Sequence, residues 1–349
     1  MYRIIEEGRA RIKVSAEKKI SRRMPVFYNP VMRSNRDISV LLLNSVNKSR
    51  MKIADLLAAS GVRSMRFMLE LKKGKAESID INDNSIKAIK VIKENIKINN
   101  IFDINKKIKI HNKDANLFLL ESKGFDYIDI DPFGYPGLFL NAAVQRISRG
   151  GILAVTATDT SALCGSSPKA CIRKYWAEPL RDEMMHETGL RIMIRFVQLI
   201  GAMNEKALNP IFCYYKDHYM RCYFSAEKGK QRVDKILKEH DYFNKAGPMW
   251  TGSLFDNNLV KQMAKNIKSD YDKETIKLLK TIKEESGIDV VGFYDIPTLC
   301  KEYKIKQAPK IDDVIDKIRK KGFKASRTHF RPEGIRSDIG LNDFIRLLA

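Results

Sequence analysis

The chain has 349 residues, is 44% hydrophobic, and carries 64 Lys and Arg against 42 Asp and Glu, a formal net charge of +22. Length and apolar content exclude a disordered chain or a single small core and predict about two domains, while the charge points to a polyanionic partner, nucleic acid before membrane. No run approaches the ~20 apolar residues of a membrane span and the first residues lack an apolar signal core, so a soluble, untargeted, cytoplasmic protein is expected.

The charge is concentrated at the two ends. Residues 1–50 hold 12 Lys/Arg against 4 Asp/Glu and residues 301–349 hold 13 against 7, whereas residues 231–300 balance at 11 of each. A solvated, heat-adapted lysine surface explains scattered lysines but not a neutral middle, so the ends are the expected footprints of the polyanion. Five cysteines (Cys164, Cys171, Cys213, Cys222, Cys300) form no CxxC or CxxH pair. A reduced protein without zinc is the expectation.

In chain order, residues 1–24 are basic and polar, with an alternation over Glu6–Val14 that predicts a short strand. A turn at Val26–Arg36 leads to an apolar helix pattern over Ile38–Val46. Arg36 and Asp37 fall where that helix begins, and composition alone favours a surface ion pair for them. Lys52–Leu57 reads as a buried strand and Val62–Leu71 as an amphipathic helix. They are joined by Ala58-Ala-Ser-Gly61, small residues that let backbone amides approach a ligand, a weak signal by itself. A second strand, Ala76–Ile81, ends in Asn82-Asp-Asn84. An acid about 20 residues past the first turn is where a ribose diol is gripped, although Asp83 or Asn84 could equally cap the next helix. Lys107–Ile110 is a third strand, and Asp114 stands where a helix begins.

The fourth strand is the centre of the pattern. Phe125–Ile130 alternates strand formers and runs into Asp131-Pro-Phe-Gly-Tyr-Pro-Gly137, where Pro132 cannot donate to a ladder and the glycines permit turns. Asp131 therefore sits at a strand's carboxyl end, the edge that holds ligands in open α/β sheets. A carboxylate followed by Pro and an aromatic suits nitrogen methylation. The side-chain oxygen and a neighbouring carbonyl can accept from both N–H groups of an amine, and the aromatic can stack on its base. A capped turn after a buried strand is the bland alternative. Leu138–Ile147 reads as helix and Gly151–Thr156 as a fifth strand, so the repetition predicts a parallel sheet with helices on both faces. A polar loop from Ala157 and a basic helix ending near Trp176 follow. Helical periodicity then runs over Pro179–Asn204, and Ile211–Ser225 folds as a hairpin at Lys216-Asp217, placing Cys213 opposite Cys222. Beyond Gly229 the β-α rhythm stops, which marks a domain boundary. The end carries helical patterns and a strand, Phe323–Phe330, compatible with a winged-helix-like nucleic-acid module.

Several segments together resemble the tRNA (guanine-26-N2) dimethyltransferase family. They are Val26-Phe-Tyr-Asn-Pro30 with Asn35-Arg-Asp37, Ala58-Ala-Ser-Gly-Val-Arg63, Asp131-Pro-Phe-Gly134, Ala157-Thr-Asp-Thr160 running to Lys174-Tyr175, and Asp217-His-Tyr219. Gly247-Pro-Met-Trp250 and Arg327-Thr-His-Phe330 carry the likeness into the second half. The resemblance implies a class I, S-adenosyl-L-methionine-dependent methyltransferase fold, an α/β Rossmann-like mixed sheet over residues 1–229, plus a smaller α+β RNA-binding domain over 230–349. It implies transfer of one or two methyl groups to the N2 amine of guanosine 26 in tRNA.

By the same resemblance, Asp131 is catalytic, and Arg36, Arg66, Asp83, Asp114 and Ala115 form the donor site. Asp83 takes the ribose hydroxyls, Asp114 with Ala115 the adenine edge, and the two arginines the methionine end or the loop around it. Arg63 competes with Arg66, which is preferred. Phe27 and Phe133 are the residues expected to sandwich the guanine, with the Pro132 carbonyl assisting. Many family members carry a cysteine cluster ahead of the Gly-Pro-x-Trp motif; here Lys245 and Ala246 precede Gly247, so family zinc is not inherited. Two other classes stand beside this reading: a DNA adenine amino-methyltransferase and a non-catalytic RNA-binding protein.

Overall fold

A computed structural model describes residues 2–16, 24–101 and 107–348. Part of the basic N-terminal stretch, residues 17–23, lies outside the described residues. The chain opens as an antiparallel hairpin of β1 (Tyr2–Glu7) and β2 (Ala10–Ser15) in which Ala10, Ile12 and Val14 are buried and Arg9 and Arg11 face solvent. The alternation over Glu6–Val14, expected as one short strand, is broken by a turn at Gly8, with φ +57°, so only Ala10–Val14 of it continues as the second strand. There follow α1 (Arg33–Ser45), β3 (Met51–Asp55), α2 (Val62–Glu70), β4 (Ala76–Asn82), α3 (Ile86–Ile98), β5 (Ile108–His111), α4 (Ala115–Glu121), β6 (Phe125–Ile130), α5 (Gly137–Arg146) and β7 (Ile147–Ala157). Then come α6 (Thr160–Leu163), α7 (Pro168–Tyr175), α8 (Met185–Met203), β8 (Lys206–Lys216) and β9 (Tyr219–Lys228).

Seven of these strands form one mixed sheet in the order β5-β4-β3-β6-β7-β9-β8. The first five are parallel; β9 runs antiparallel to both of its neighbours, and Cys213 pairs with Cys222 across it. The central strands are buried on both faces, which is why Ile128, Ile130 and the run Leu153–Val155 read as near-continuous apolar stretches. The chain moves outward from β3 through β4 to β5 and then returns to place β6 on β3's other side. Loops after β3 and β6 therefore diverge and leave a crevice at their carboxyl ends. Asn95 near the end of α3 and Asn99 just past it hold β2 by bonding the backbone of Lys13 and Arg11 at 2.7–2.8 Å.

Several boundaries differ from the sequence reading: α1 begins at Arg33 rather than Ile38, β8 at Lys206 rather than Ile211, and the strand expected over Phe323–Phe330 spans only Ala325–Arg327. β7 begins at Ile147 rather than Gly151, because the register with β6 shifts after Ile147 pairs with Phe125, and Gly150, at φ +68°, makes the irregular backbone accessible. The helix expected from Pro179 begins at Met185, since Glu178 spends both backbone groups on a bridge to Gly247, at 2.8 Å each.

Past the sheet the chain continues as α9 (Lys230–Leu237), β10 (His240–Phe243), β11 (Ala246–Trp250), α10 (Asn257–Asn266) and α11 (Lys273–Glu285). The β-α rhythm does stop at Gly229, yet Val233, Met249, Val260, Met263, Leu279 and Ile282 belong to the same core as the sheet. A separate core comprises Ile296, Val314, Ile318, Ile335 and Phe344, from β12 (Tyr294–Asp295), α12 (Ile296–Glu302), α13 (Ile311–Lys320), β13 (Ala325–Arg327), β14 (Gly334–Ser337) and α14 (Leu341–Leu348). Its sheet order, β12-β14-β13, with helices preceding a hairpin, is the winged-helix-like arrangement. The two cores are joined by a buried ion cluster. Arg336 on β14 bonds Glu187 of α8 at 2.6 Å and Glu285 of α11 at 2.8 Å, and His329 meets Glu285 at 2.6 Å. Both glutamates face the cost of burial; Arg336 and then Arg191 hold Glu187 below the usual carboxylate range, and His329 and then Arg336 do so at Glu285.

Candidate active site

A cavity of about 610 Å³ opens at the crevice beyond β3 and β6. Each wall is a loop that the sheet delivers. After β3, Leu57–Ser60 line it, closed by Gly61, whose φ of +72° and 3.0 Å clearance to Ile92 admit no side chain without strain. After β4 comes Asp83, whose carboxylate accepts from the amides of Ala59 and Ser85, both at 2.8 Å. Those two bonds leave lone pairs unused, so the group can also accept from a ligand's hydroxyls. After β6 come Asp131, Pro132 and Phe133, and the turn is pinned where the Gly134 amide donates to Thr158 Oγ1 at 2.7 Å. His218, at the tip of the β8–β9 hairpin, closes the far side.

Asp131 is held by a chain of buried polar groups. Its Oδ2 pairs with the Arg63 guanidinium, which also donates to Asn35 Oδ1 at 3.0 Å and Ser39 Oγ at 2.7 Å and lies 3.4 Å from Asp129. Asp129 in turn takes Arg221 at 2.6 and 3.1 Å and the Tyr127 hydroxyl at 2.5 Å. Burial would raise the Asp129 carboxyl, but Arg221 and Arg63 keep it below its ordinary value. Asp55, at the end of β3 and also lining the cavity, accepts from Ser64 Oγ at 2.7 Å. Burial pushes its carboxyl up to about 7, with Arg63 pulling against the rise and Asp129 and Asp131 adding to it. The cavity thus holds one carboxylate fixed by a cation and a second poised between its charge states.

Of the residues expected from the sequence, Phe27, Arg36, Asp83, Asp131, Pro132 and Phe133 line this cavity. Arg36 reaches it from α1 while bonding Glu7 at 2.5 and 2.6 Å and the Asn29 carbonyl at 3.1 Å. Burial alone would raise the Glu7 carboxyl, but Arg36 and Arg66 beside it hold it at about 2. Arg36 and Asp37 are both buried, at 5% and 0% exposure, rather than a surface pair. Asp37 forms an ion pair with Arg66 at 2.6 Å and accepts from Thr275 Oγ1 at 2.9 Å.

Arg66 stands apart from the cavity, clamped among Glu7, Asp37 and Glu70. Its helix-mate Arg63 occupies the cavity wall instead. Asp114 and Ala115 are not among the lining residues either. Asp114 Oδ1 caps α4 through the amides of Asn116 and Leu117, and the preceding Lys113 is tied to Asn82 at the end of β4. Phe27 and Phe133 meet edge to face, with centroids 4.5 Å apart and planes at 85°. A base can enter between them only if Phe133, 46% exposed, swings aside. Arg63, which the sequence reading weighed against Arg66 and placed second, lines the cavity, and Asp55, Asn35 and His218 are cavity or support residues that it did not single out as site residues. For Asp55 a signal existed, an acid at the carboxyl end of a parallel strand.

Residues 8–245 and 238–349 match the family model described as TRM, N2,N2-dimethylguanosine tRNA methyltransferase. Similar proteins include a tRNA (guanine(26)-N(2)/guanine(27)-N(2))-dimethyltransferase of Aquifex aeolicus, 39% identical over 98% of this chain and 95% of its own length. Another is a tRNA (guanine(26)-N(2))-dimethyltransferase of Pyrococcus abyssi, 37% identical over 98% and 97%. A solved structure of Trm1 from Pyrococcus horikoshii in complex with S-adenosyl-L-methionine superposes with a TM-score of 0.89 at 35% identity, covering 99% of each chain.

Proposed function

The chain belongs to the N2,N2-dimethylguanosine tRNA methyltransferase family, and from that premise we propose how its own residues carry the reaction. It is an S-adenosyl-L-methionine-dependent enzyme that methylates the exocyclic N2 amine of guanosine 26 in tRNA. When bound, the donor supplies an electrophilic methyl carried on a sulfonium.

The cavity's donor set fits that molecule. Asp83 offers carboxylate lone pairs to the ribose hydroxyls beside the loop Leu57–Ser60, and the volume is that of a small-molecule site. Asp114 lies outside the lining, exposed at the start of α4 with Oδ1 spent on its cap, and is assigned the adenine amine through its other oxygen. Ala115 backs that edge. Arg36 and Arg66 serve through Glu7, ordering the N-terminal hairpin against the cavity.

The guanine N2 lone pair is delocalised into the ring, so the amine is a weak nucleophile. Asp131 counters this. With Oδ2 committed to Arg63, its other oxygen accepts one amine N–H while the Pro132 carbonyl accepts the second. The lone pair is thereby turned out of conjugation, and the departing proton passes to the Asp131 carboxylate as the new N–C bond forms. Phe27 and Phe133 stack on the extruded base, offsetting a few kcal/mol of unstacking. The observation that carries this reading is the convergence of Asp131-Pro132-Phe133 with Asp83 and the Leu57–Ser60 loop in one cavity at the sheet's switch point.

We assign tRNA contact to the basic ends, with the 230–349 region as the RNA-binding portion and α13, exposed at Lys317, Arg319 and Lys320, prominent in it. No metal is assigned to the reaction. Five buried thiols without disulfides support a reducing, cytoplasmic setting, and no described helix is long and apolar enough to cross a membrane. The test is transfer from methyl-labelled donor to tRNA and to duplex DNA, followed by nucleoside analysis. Label in N2-methylated guanosines supports the assignment; label in adenine of DNA, or in neither substrate, supports the competing classes.

A further inference from the structure

The reaction leaves one face of α7 unused. This helix is fastened to the cavity wall. Tyr135, a lining residue, donates its hydroxyl to the Lys174 carbonyl at 3.0 Å, and Lys174 Nζ bonds Asp159 at 2.8 Å while lying 5.7 Å over the Tyr135 ring. Cys171 and Tyr175 are buried beneath it. The opposite side repeats at i, i+3 and i+4, with Lys169, Ile172 and Arg173 exposed, and Trp176, the residue that ends the helix, is exposed too. Among the described residues no carboxylate lies within ion-pair distance of Lys169 or Arg173.

Trp176 is unusual in its own right. It adopts φ +55°, a left-handed conformation rare for a bulky side chain, yet the residue is 49% exposed. The conformation is secured by neighbours. Its amide donates to Ile172 O at 3.1 Å, its carbonyl accepts from Arg195 at 3.2 Å, and one ring edge rests on Phe196 at 5.2 Å. A half-exposed indole held out this way beside two unpaired cations is the combination that binds single-stranded nucleic acid, with charge on the phosphates and an aromatic face on a base.

We propose that the Lys169–Ile172–Arg173–Trp176 face is a tRNA docking surface beside the cavity mouth, where Lys169 and Arg173 take backbone phosphates and Trp176 stacks on an unpaired base. The inference rests on the assignment of tRNA as substrate, and charge complementarity selects RNA over a protein partner, since the chain's net charge is +22. Two measurements test it on the full-length protein. In the first, tRNA affinity is followed across a salt series for wild type and Lys169→Gln/Arg173→Gln, two exposed positions whose neutralisation leaves the fold intact. Loss of two phosphate contacts flattens the log–log slope by roughly 1.4 to 1.8, with S-adenosyl-L-methionine affinity unchanged.

The second uses the protein's two tryptophans. Trp250 is buried with its indole N–H on the Ser253 carbonyl, so acrylamide quenching reports chiefly on Trp176, and tRNA binding is expected to shield it. An unaltered slope in the double variant, or a Trp176 as accessible with tRNA as without it, overturns the proposal. If wild type transfers no label to tRNA, the enzymatic assignment has failed; if it transfers label while the slope stays put, only this surface has.

Discussion

Removing the Arg63 guanidinium tests the central argument about the site, because this one group both fixes Asp131 and satisfies Asn35, Ser39 and Asp129. In Arg63→Met a buried ion pair loses one partner, a change that costs about 3 to 5 kcal/mol. The lower end applies here. Asp129 keeps Arg221 at 2.6 and 3.1 Å and Tyr127, and Asp131, with 23% of its side chain exposed, can recover some hydration. A loss of about 3 kcal/mol against a typical total of ~5 to 15 leaves the protein folded. Asp131, released from its partner, no longer presents one fixed oxygen to the amine. A misplacement on the order of 1 Å costs about 100-fold, so kcat is expected to fall about 10- to 100-fold. Arg63→Lys is expected to recover only part, since one ammonium cannot span the partners of a planar fork. Urea unfolding and single-turnover methyl transfer measure the two effects. A folded Arg63→Met enzyme whose single-turnover rate stays within twofold of wild type would refute the idea that Arg63 positions the base.

Asp131→Ala is expected to lower single-turnover transfer by about 100-fold or more while tRNA affinity stays near wild type; more than a tenth of the wild-type rate would remove it as the base. Asp83→Ala is expected to weaken S-adenosyl-L-methionine binding in calorimetry, and an unchanged dissociation constant would rule out the ribose contact. Asp55→Asn probes the raised carboxyl. Because its folded value of about 7 exceeds its ordinary 3.8, the folded protein keeps a proton that the unfolded chain has lost. Wild-type stability from this group is therefore full below about pH 4 and declines, at about 1.4 kcal/mol per unit, as pH rises toward 7. The variant lacks that slope, so it is expected to gain roughly 2 kcal/mol on wild type between pH 5 and 7, and parallel stability curves would contradict the assignment. Exhaustive chelation is expected to leave methyl transfer intact; loss with EDTA and rescue by zinc would overturn the metal-free reading of the cysteine pattern.

The sequence by itself determined the sheet and its functional edge. Period-2 runs and buried β-branched stretches reported which segments are strands, and Pro132, Gly134 and Gly61 reported where strands must stop, because these signals are local. Asp131 and Asp83 were legible for the same reason, each being an acid at the carboxyl end of a recognisable strand. What only the tertiary structure decided involves partners far apart in the chain. Arg63 and Arg66 lie three residues apart on one short helix and are chemically alike. One faces Asp129 and Asp131 from β6 and its loop, the other Glu7 from β1 and Asp37 from α1, and no local pattern records which. Arg36 and Asp37 read as a surface pair because Glu7, Arg66 and Thr275, which bury them, come from three distant segments. The extent of the first core was hidden likewise. Residues 230–293 lose the β-α rhythm yet pack on the sheet through helices whose apolar stripes do not name the surface they cover. Periodicity fixes which side of an element is buried, whereas the choice of what it is buried against is settled by long-range packing and by the need to neutralise each buried charge.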